Sequence, residues 1–94
     1  MIVGYDFEIA GGDRAAAEAE LEEAEGVEVS FVPGVVSVAL GDEETLRRAW
    51  RCLEILAGAG FAVHDCQRGV PVDLGEDFDD VLESYEALGR LPAR

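Results

Sequence analysis

Residues 27–58 of this chain, VEVSFVPGVVSVALGDEETLRRAWRCLEILAG, contain the pattern that decides its fold. Apolar side chains recur at every second position through residues 27–31, which is the period of a half-buried strand. Pro33-Gly34 then supplies a turn, and residues 35–40 resume a strand-like, β-branched run. The segment therefore predicts a β-hairpin, followed after Gly41-Asp42 by a helix over residues 43–57.

The predicted helix has its apolar side chains at helical spacing, so that they fall on one face. These positions are Leu46, Ala49, Trp50, Leu53, Leu56 and Ala57. Cys52 lies beside this stripe and is predicted to be a small core residue. We therefore expect the helix to cover one face of a sheet and to end at Gly58 and Gly60.

The segments on either side repeat the order of strand and helix. Residues 1–10 alternate between apolar and polar or small side chains and predict a strand with Val3, Tyr5 and Phe7 on its buried side. Asp13 is predicted to cap a helix over residues 14–25, which Gly26 would end. Residues 61–68 predict a fourth strand.

The resulting order, β-α-β-β-α-β, resembles the ferredoxin-like superfold. The resemblance covers residues 1–68 and implies an α+β two-layer sandwich, in which two helices cover one face of an antiparallel sheet with the strand order 4-1-3-2. It identifies no family, because this fold hosts many unrelated activities.

Residues 69–94 are predicted to form a connector and an appended acidic amphipathic helix within the same single domain. The connector has room for a short fifth strand near residues 70–72. Five large apolar residues share one side of the helix: Phe78, Val81, Leu82, Tyr85 and Leu88. Such a stripe requires a partner, and two alternatives stay open. The helix covers the open face of its own sheet, or it packs against a second subunit as a possible interface.

The chain carries 21 Asp and Glu against 7 Arg and no Lys, a net charge of −14. This field repels phosphate backbones and anionic lipid headgroups, so we expect no direct binding of nucleic acid or of a membrane and we expect basic protein partners. An acidic surface also keeps proteins soluble without any partner. The charge is unevenly spread, because residues 11–26 hold six acids and one Arg while residues 45–58 hold three Arg and one Glu.

The sequence also indicates a compartment. No apolar run approaches the roughly 20 residues needed to span a bilayer, and residues 1–10 lack the basic start of a secretory signal. We therefore expect a cytoplasmic protein with Cys52 and Cys66 as free thiols.

The open face of the predicted sheet is the best candidate for a polar site. With the first strand between the third and the fourth, Asp6, Glu8, Ser37, His64 and Cys66 share this face. A carboxylate beside His64 fits a general base, and Cys66 fits a nucleophile or a metal ligand. Ordinary sheet residues are the alternative. The spacings typical of zinc sites are absent, so we predict no metal and no cofactor.

A second candidate surface is the basic cluster of Arg47, Arg48 and Arg51 on the helix over residues 43–57. Glu43, Glu44 and Glu54 lie one helical turn away, which is typical of a solvated, salt-bridged face. The alternative is a possible interface with an acidic partner, such as the first helix of a second copy.

These patterns favour a small, acidic, non-enzymatic protein-interaction module, of the adaptor, inhibitor or immunity type, that acts as a homodimer or binds a basic protein partner. One alternative is a regulatory domain that binds a small ligand at an interface between subunits. The other is an enzyme without a cofactor that uses His64, Asp6 and Cys66 on the open sheet face.

Overall fold

The computed structural model describes residues 4–90 as a small α+β domain with a five-stranded antiparallel sheet and three helices. The strands are β1 Gly4–Ala10, β2 Val27–Ser30, β3 Val35–Ala39, β4 Ala62–Asp65 and β5 Val70–Pro71. The helices are α1 Arg14–Glu20, α2 Glu43–Gly58 and α3 Phe78–Gly89. The predicted start of the first strand, including Val3, and the last four residues of the predicted domain lie outside the described residues.

The sheet has the order β2-β3-β1-β4-β5, which differs from the predicted four-stranded order by a strand at one edge. There β5 pairs with the end of β4, through Asp65 opposite Val70 and His64 opposite Pro71. The pairing follows from a tight turn, because the Asp65 carboxylate accepts the backbone N–H groups of Gln67 and Arg68 at 2.9 and 3.0 Å. This turn also ends β4 before the predicted residue 68.

The first helix is shorter than predicted. Asp13 caps it as expected and accepts the backbone N–H of Ala16 at 3.2 Å. The helix then ends at Glu20, and Leu21 is extended, with φ −69° and ψ 136°. Continuing the helix would set Glu18 opposite Glu22 one turn away and add carboxylates at the negative end of the helix dipole. Residues 21–26 instead form a loop that leads into β2.

The core lies between the helices and one face of the sheet, and it confirms the predicted alternation. Its buried strand residues are Tyr5, Phe7, Ile9, Val36, Val38 and Val63, and those of α2 are Leu46, Ala49, Trp50, Cys52, Leu53 and Leu56. Burying each large apolar side chain contributes about 1.5–3 kcal/mol before the loss of conformational entropy is counted. The other face of β1, β3 and β4 stays exposed or half-buried.

The C-terminal helix packs beside α2 on the same side of the sheet. Its Val81 and Tyr85 are buried in the common core, and Tyr85 donates a hydrogen bond to the Ala39 carbonyl at 2.7 Å. Trp50 packs edge-on against Phe78 with ring centroids 5.2 Å apart, and its indole N–H bonds the Leu74 carbonyl. The alternative in which this helix covers the open face is therefore wrong.

Among the described helices, none combines the length and the apolar character needed to cross a membrane.

Candidate functional site

The structure places all five predicted open-face residues near one another. Asp6 lies opposite Ser37, and Glu8 lies opposite His64. The Cys66 thiol donates to the Glu8 carboxylate at 3.8 Å, and the Cys66 backbone N–H bonds the Asp6 carbonyl at 3.2 Å.

The surroundings of Cys66 oppose its use as a nucleophile. Cys66 is exposed, yet partial desolvation and the nearby carboxylates of Glu8 and Asp6 raise the pKa of its thiol above the ordinary value. Since the thiolate is the reactive form, a raised pKa makes Cys66 a weaker nucleophile than an ordinary cysteine. No group of three or more possible metal ligands occurs within residues 4–90. The hollow on this face, of about 380 Å³, lies over β1, β3 and β2 and leaves out His64 and Cys66.

Of the three arginines of α2, only Arg47 takes part in a described ion pair within its own chain. Arg47 forms the predicted ion pair with Glu43 and also lies over the Phe78 ring, 4.6 Å from its centroid. Arg48 and Arg51 line a small hollow of about 160 Å³ together with Glu20, Glu22 and Glu23 at the end of α1. The basic cluster therefore adjoins the acidic end of α1 on the same molecule.

The apolar stripe of α3 is also used within the chain. Val81 and Tyr85 are almost fully enclosed, while Phe78, Leu82 and Leu88 are half-buried against the core. A second subunit could reach only the exposed parts of the half-buried residues.

A core carboxylate that the sequence analysis did not single out is Asp65, whose side chain is fully buried. It accepts the Tyr5 hydroxyl at 2.6 Å in addition to the two backbone N–H groups of the following turn. Burial and this hydrogen bond raise the pKa of Tyr5 well above its ordinary value. The sequence contains a signal for the burial of Asp65, because residue 65 continues the alternation of Phe61 and Val63 onto the buried face. Its three donors give Asp65 a structural role.

A groove lies between β2 and the loop that follows α1. Its volume is about 720 Å³. Its half-buried apolar residues are Leu21, Val27, Val29 and Phe31, and its carboxylates are Glu18, Glu22, Glu23, Glu25 and Glu28. We call this the acidic groove. It exists because α1 ends at Glu20 and the loop carries its glutamates along the edge of the sheet.

Three arginines lie near the acidic groove: Arg14, and the pair Arg48 and Arg51, which share the smaller hollow with Glu22 and Glu23. The Arg14 guanidinium bonds Glu18 at 3.2 Å and lies over the Phe31 ring, 4.9 Å from its centroid. Of the described ion pairs, only this one involves a glutamate of the groove. The groove therefore combines an apolar floor with an excess of negative charge, because five glutamates and no arginine are among its described lining residues.

The concentration of acids in residues 11–26 is visible in the sequence, but the groove itself is not. The charge pattern was visible, whereas the early end of α1 was not, because alanine and glutamate are good helix formers. No family model matches the chain, and no curated protein or solved structure shows significant similarity to it.

Proposed function

We propose that this protein is a small, non-enzymatic interaction module that binds a basic protein segment in the acidic groove. The observation that carries the proposal is the set of five glutamates around a half-buried apolar floor, with no arginine among the described residues that line the groove. The net charge of −14 adds a long-range attraction for any basic partner.

The two parts of the groove supply different contributions to binding. Exposed carboxylates accelerate association and select basic partners, but salt screens them beyond about 8 Å at physiological ionic strength. The apolar floor supplies affinity that salt does not screen, because a partner would remove Phe31, Leu21 and Val29 from water. An apolar and basic segment satisfies both.

The ferredoxin-like arrangement is our proposal for the class of the fold, with β5 as an addition at the sheet edge. In support, the first six elements follow the β-α-β-β-α-β order and β1 lies between β3 and β4.

A homodimer is the second candidate. Arg48 and Arg51 adjoin the acidic end of α1. A two-fold axis beside these patches of opposite charge would place the basic patch of each subunit against the acidic patch of the other. The open sheet faces suit self-association less, because Asp6, Glu8 and Glu28 would meet their own copies. Sedimentation analysis of wild-type protein at low and high salt distinguishes the candidates, since a dimer of this kind dissociates as salt rises.

Binding of a basic peptide tests the main proposal. The probe is a short labelled peptide of alternating arginine and valine, measured by fluorescence anisotropy. The groove variant combines Glu22→Gln, Glu23→Gln and Glu25→Gln. The matched control combines Glu76→Gln, Glu83→Gln and Glu86→Gln, which are also exposed and change the net charge by the same amount.

We expect the groove variant to weaken binding about tenfold or more, which corresponds to ~1.4 kcal/mol, and the control to weaken it much less. Equal losses in both variants would mean that the peptide senses only net charge, and the proposed site would then be wrong.

A further inference from the structure

We infer that the basic segment binds as an additional antiparallel strand along the outer edge of β2, an inference that rests on the proposed function of the acidic groove. β2 lies at one end of the sheet, and its described strand partner is β3 alone. Such an edge strand presents backbone donors and acceptors that an extended peptide can pair with.

The register shows which backbone groups of β2 point outward. The Gly26 carbonyl accepts the Ala39 N–H at 2.7 Å, so this pair of residues is hydrogen-bonded across the β2–β3 ladder. Bonded and non-bonded pairs alternate along an antiparallel ladder, so Val27 and Val29, opposite Val38 and Val36, direct their backbone groups away from β3.

The chain itself already pairs with the first of these two residues. Ala24 forms an isolated antiparallel bridge with Val27, and the Val27 N–H bonds the Ala24 carbonyl at 3.1 Å. This bond closes the turn at Glu25 and Gly26, so the chain's own backbone already occupies the outward side of Val27. The N–H and carbonyl of Val29 are the next outward pair, and they lie where the floor of the acidic groove begins.

The opposite edge of the sheet is a poor site for such a strand. β5 contains only Val70 and Pro71, and proline has no backbone N–H to donate. Of the two edges of the described sheet, β2 is the one that can be extended.

The chemistry of the occupant follows from the two sides of β2. A strand beside Val29 would direct alternate side chains toward the apolar floor formed by Leu21 and Phe31, and the others toward the side where Glu28 is exposed. An extended segment that alternates apolar and basic residues is therefore complementary in both pattern and charge. A basic helix would satisfy the glutamates but not the outward backbone groups of Val29.

The test uses the arginine–valine peptide and an otherwise identical peptide that carries N-methyl groups at alternate residues. N-methylation removes peptide donors on one edge and leaves charge and side chains unchanged. Because either edge of the peptide can pair with β2, both methylation registers are measured. We expect one register to bind about tenfold more weakly than the unmodified peptide, the loss of one to two hydrogen bonds. Equal binding of all three peptides would overturn the inference.

Amide hydrogen exchange of the wild-type protein gives an independent readout. We expect the Val29 amide to become protected when the unmodified peptide binds, while the exposed backbone near Val70 does not change. If the peptide binds and Glu22, Glu23 and Glu25 are required but Val29 stays unprotected, the added strand is wrong and the proposed function stands. If the unmodified peptide does not bind at all, the proposed function itself fails.

Discussion

At the β5 edge of the sheet the chain closes over its own polar groups, whereas at the β2 edge it leaves an open groove. Both edges carry carboxylates. Asp65 near β5 is buried and accepts three hydrogen bonds, from the Tyr5 hydroxyl and from the backbone N–H groups of Gln67 and Arg68. At the β2 edge, Glu22, Glu23 and Glu25 are exposed on the loop before the strand.

The difference shows that acidic composition alone does not assign a role to a carboxylate. A buried carboxylate persists only where donors replace its lost hydration, so Asp65 is part of what holds the β4–β5 turn to the core. An exposed glutamate keeps its hydration and contributes little to folding, which leaves it available to a partner. We therefore expect substitution of Asp65 at the β5 edge to affect stability, and substitution of the glutamates at the β2 edge to affect binding.

The largest expected effect is at the β5 edge. Asp65→Ala removes the acceptor of the Tyr5 hydroxyl and of two backbone N–H groups, so we expect the free energy of unfolding to fall by about 3 kcal/mol. Urea denaturation of the variant measures the loss. Asp6→Ala on the exposed face of β1 is the control and should change stability by less than about 0.5 kcal/mol. Similar losses in both variants would contradict the structural role given to Asp65.

A smaller effect is expected from titration of Tyr5 at the same edge. Burial and the Asp65 carboxylate raise its pKa in the folded protein above the ordinary value of 10.0. The contribution of Tyr5 to stability is therefore complete below about pH 10 and is lost as pH rises further, at no more than about 1.4 kcal/mol per pH unit.

Chemical denaturation at pH values between about 9 and 11 measures this slope. Tyr5→Phe should reduce it, because the variant keeps the ring and lacks the ionisable hydroxyl. An unchanged slope in Tyr5→Phe would assign the alkaline loss of stability to other groups.

The smallest effect on stability is expected at the β2 edge. The variant with Glu22→Gln, Glu23→Gln and Glu25→Gln removes charges that repel one another, so its free energy of unfolding should stay within about 1 kcal/mol of wild type. Urea denaturation of this variant and of the Asp65→Ala variant under the same conditions compares their free energies of unfolding directly. A loss as large as that of Asp65→Ala would show that these glutamates are structural, and weaker peptide binding by this variant would then no longer report on the groove.

Much of the fold was predictable because its signals are local. The two-residue alternation assigned Tyr5, Phe7, Val36 and Val38 to the buried face, and the helical spacing in α2 assigned Trp50 to the core. The grouping of the open-face residues was predictable for the same reason. Once β3 and β4 are placed beside β1, the pairing of residues across these strands follows. Asp65 was missed because a carboxylate at a buried position contradicts the usual pattern, and its donors come from the turn and from β1.

The sequence by itself determined the hairpin, the long amphipathic helix and the concentration of negative charge before β2, because side-chain period and composition act over short distances along the chain. Only the tertiary structure decided that α1 ends at Glu20, that α3 packs beside α2, and that β5 covers one edge while β2 stays open. Those outcomes depend on contacts between distant residues, such as Tyr85 with the Ala39 carbonyl and Trp50 with the Leu74 carbonyl. Local preference does not encode which of several possible surfaces a stripe of apolar side chains will meet.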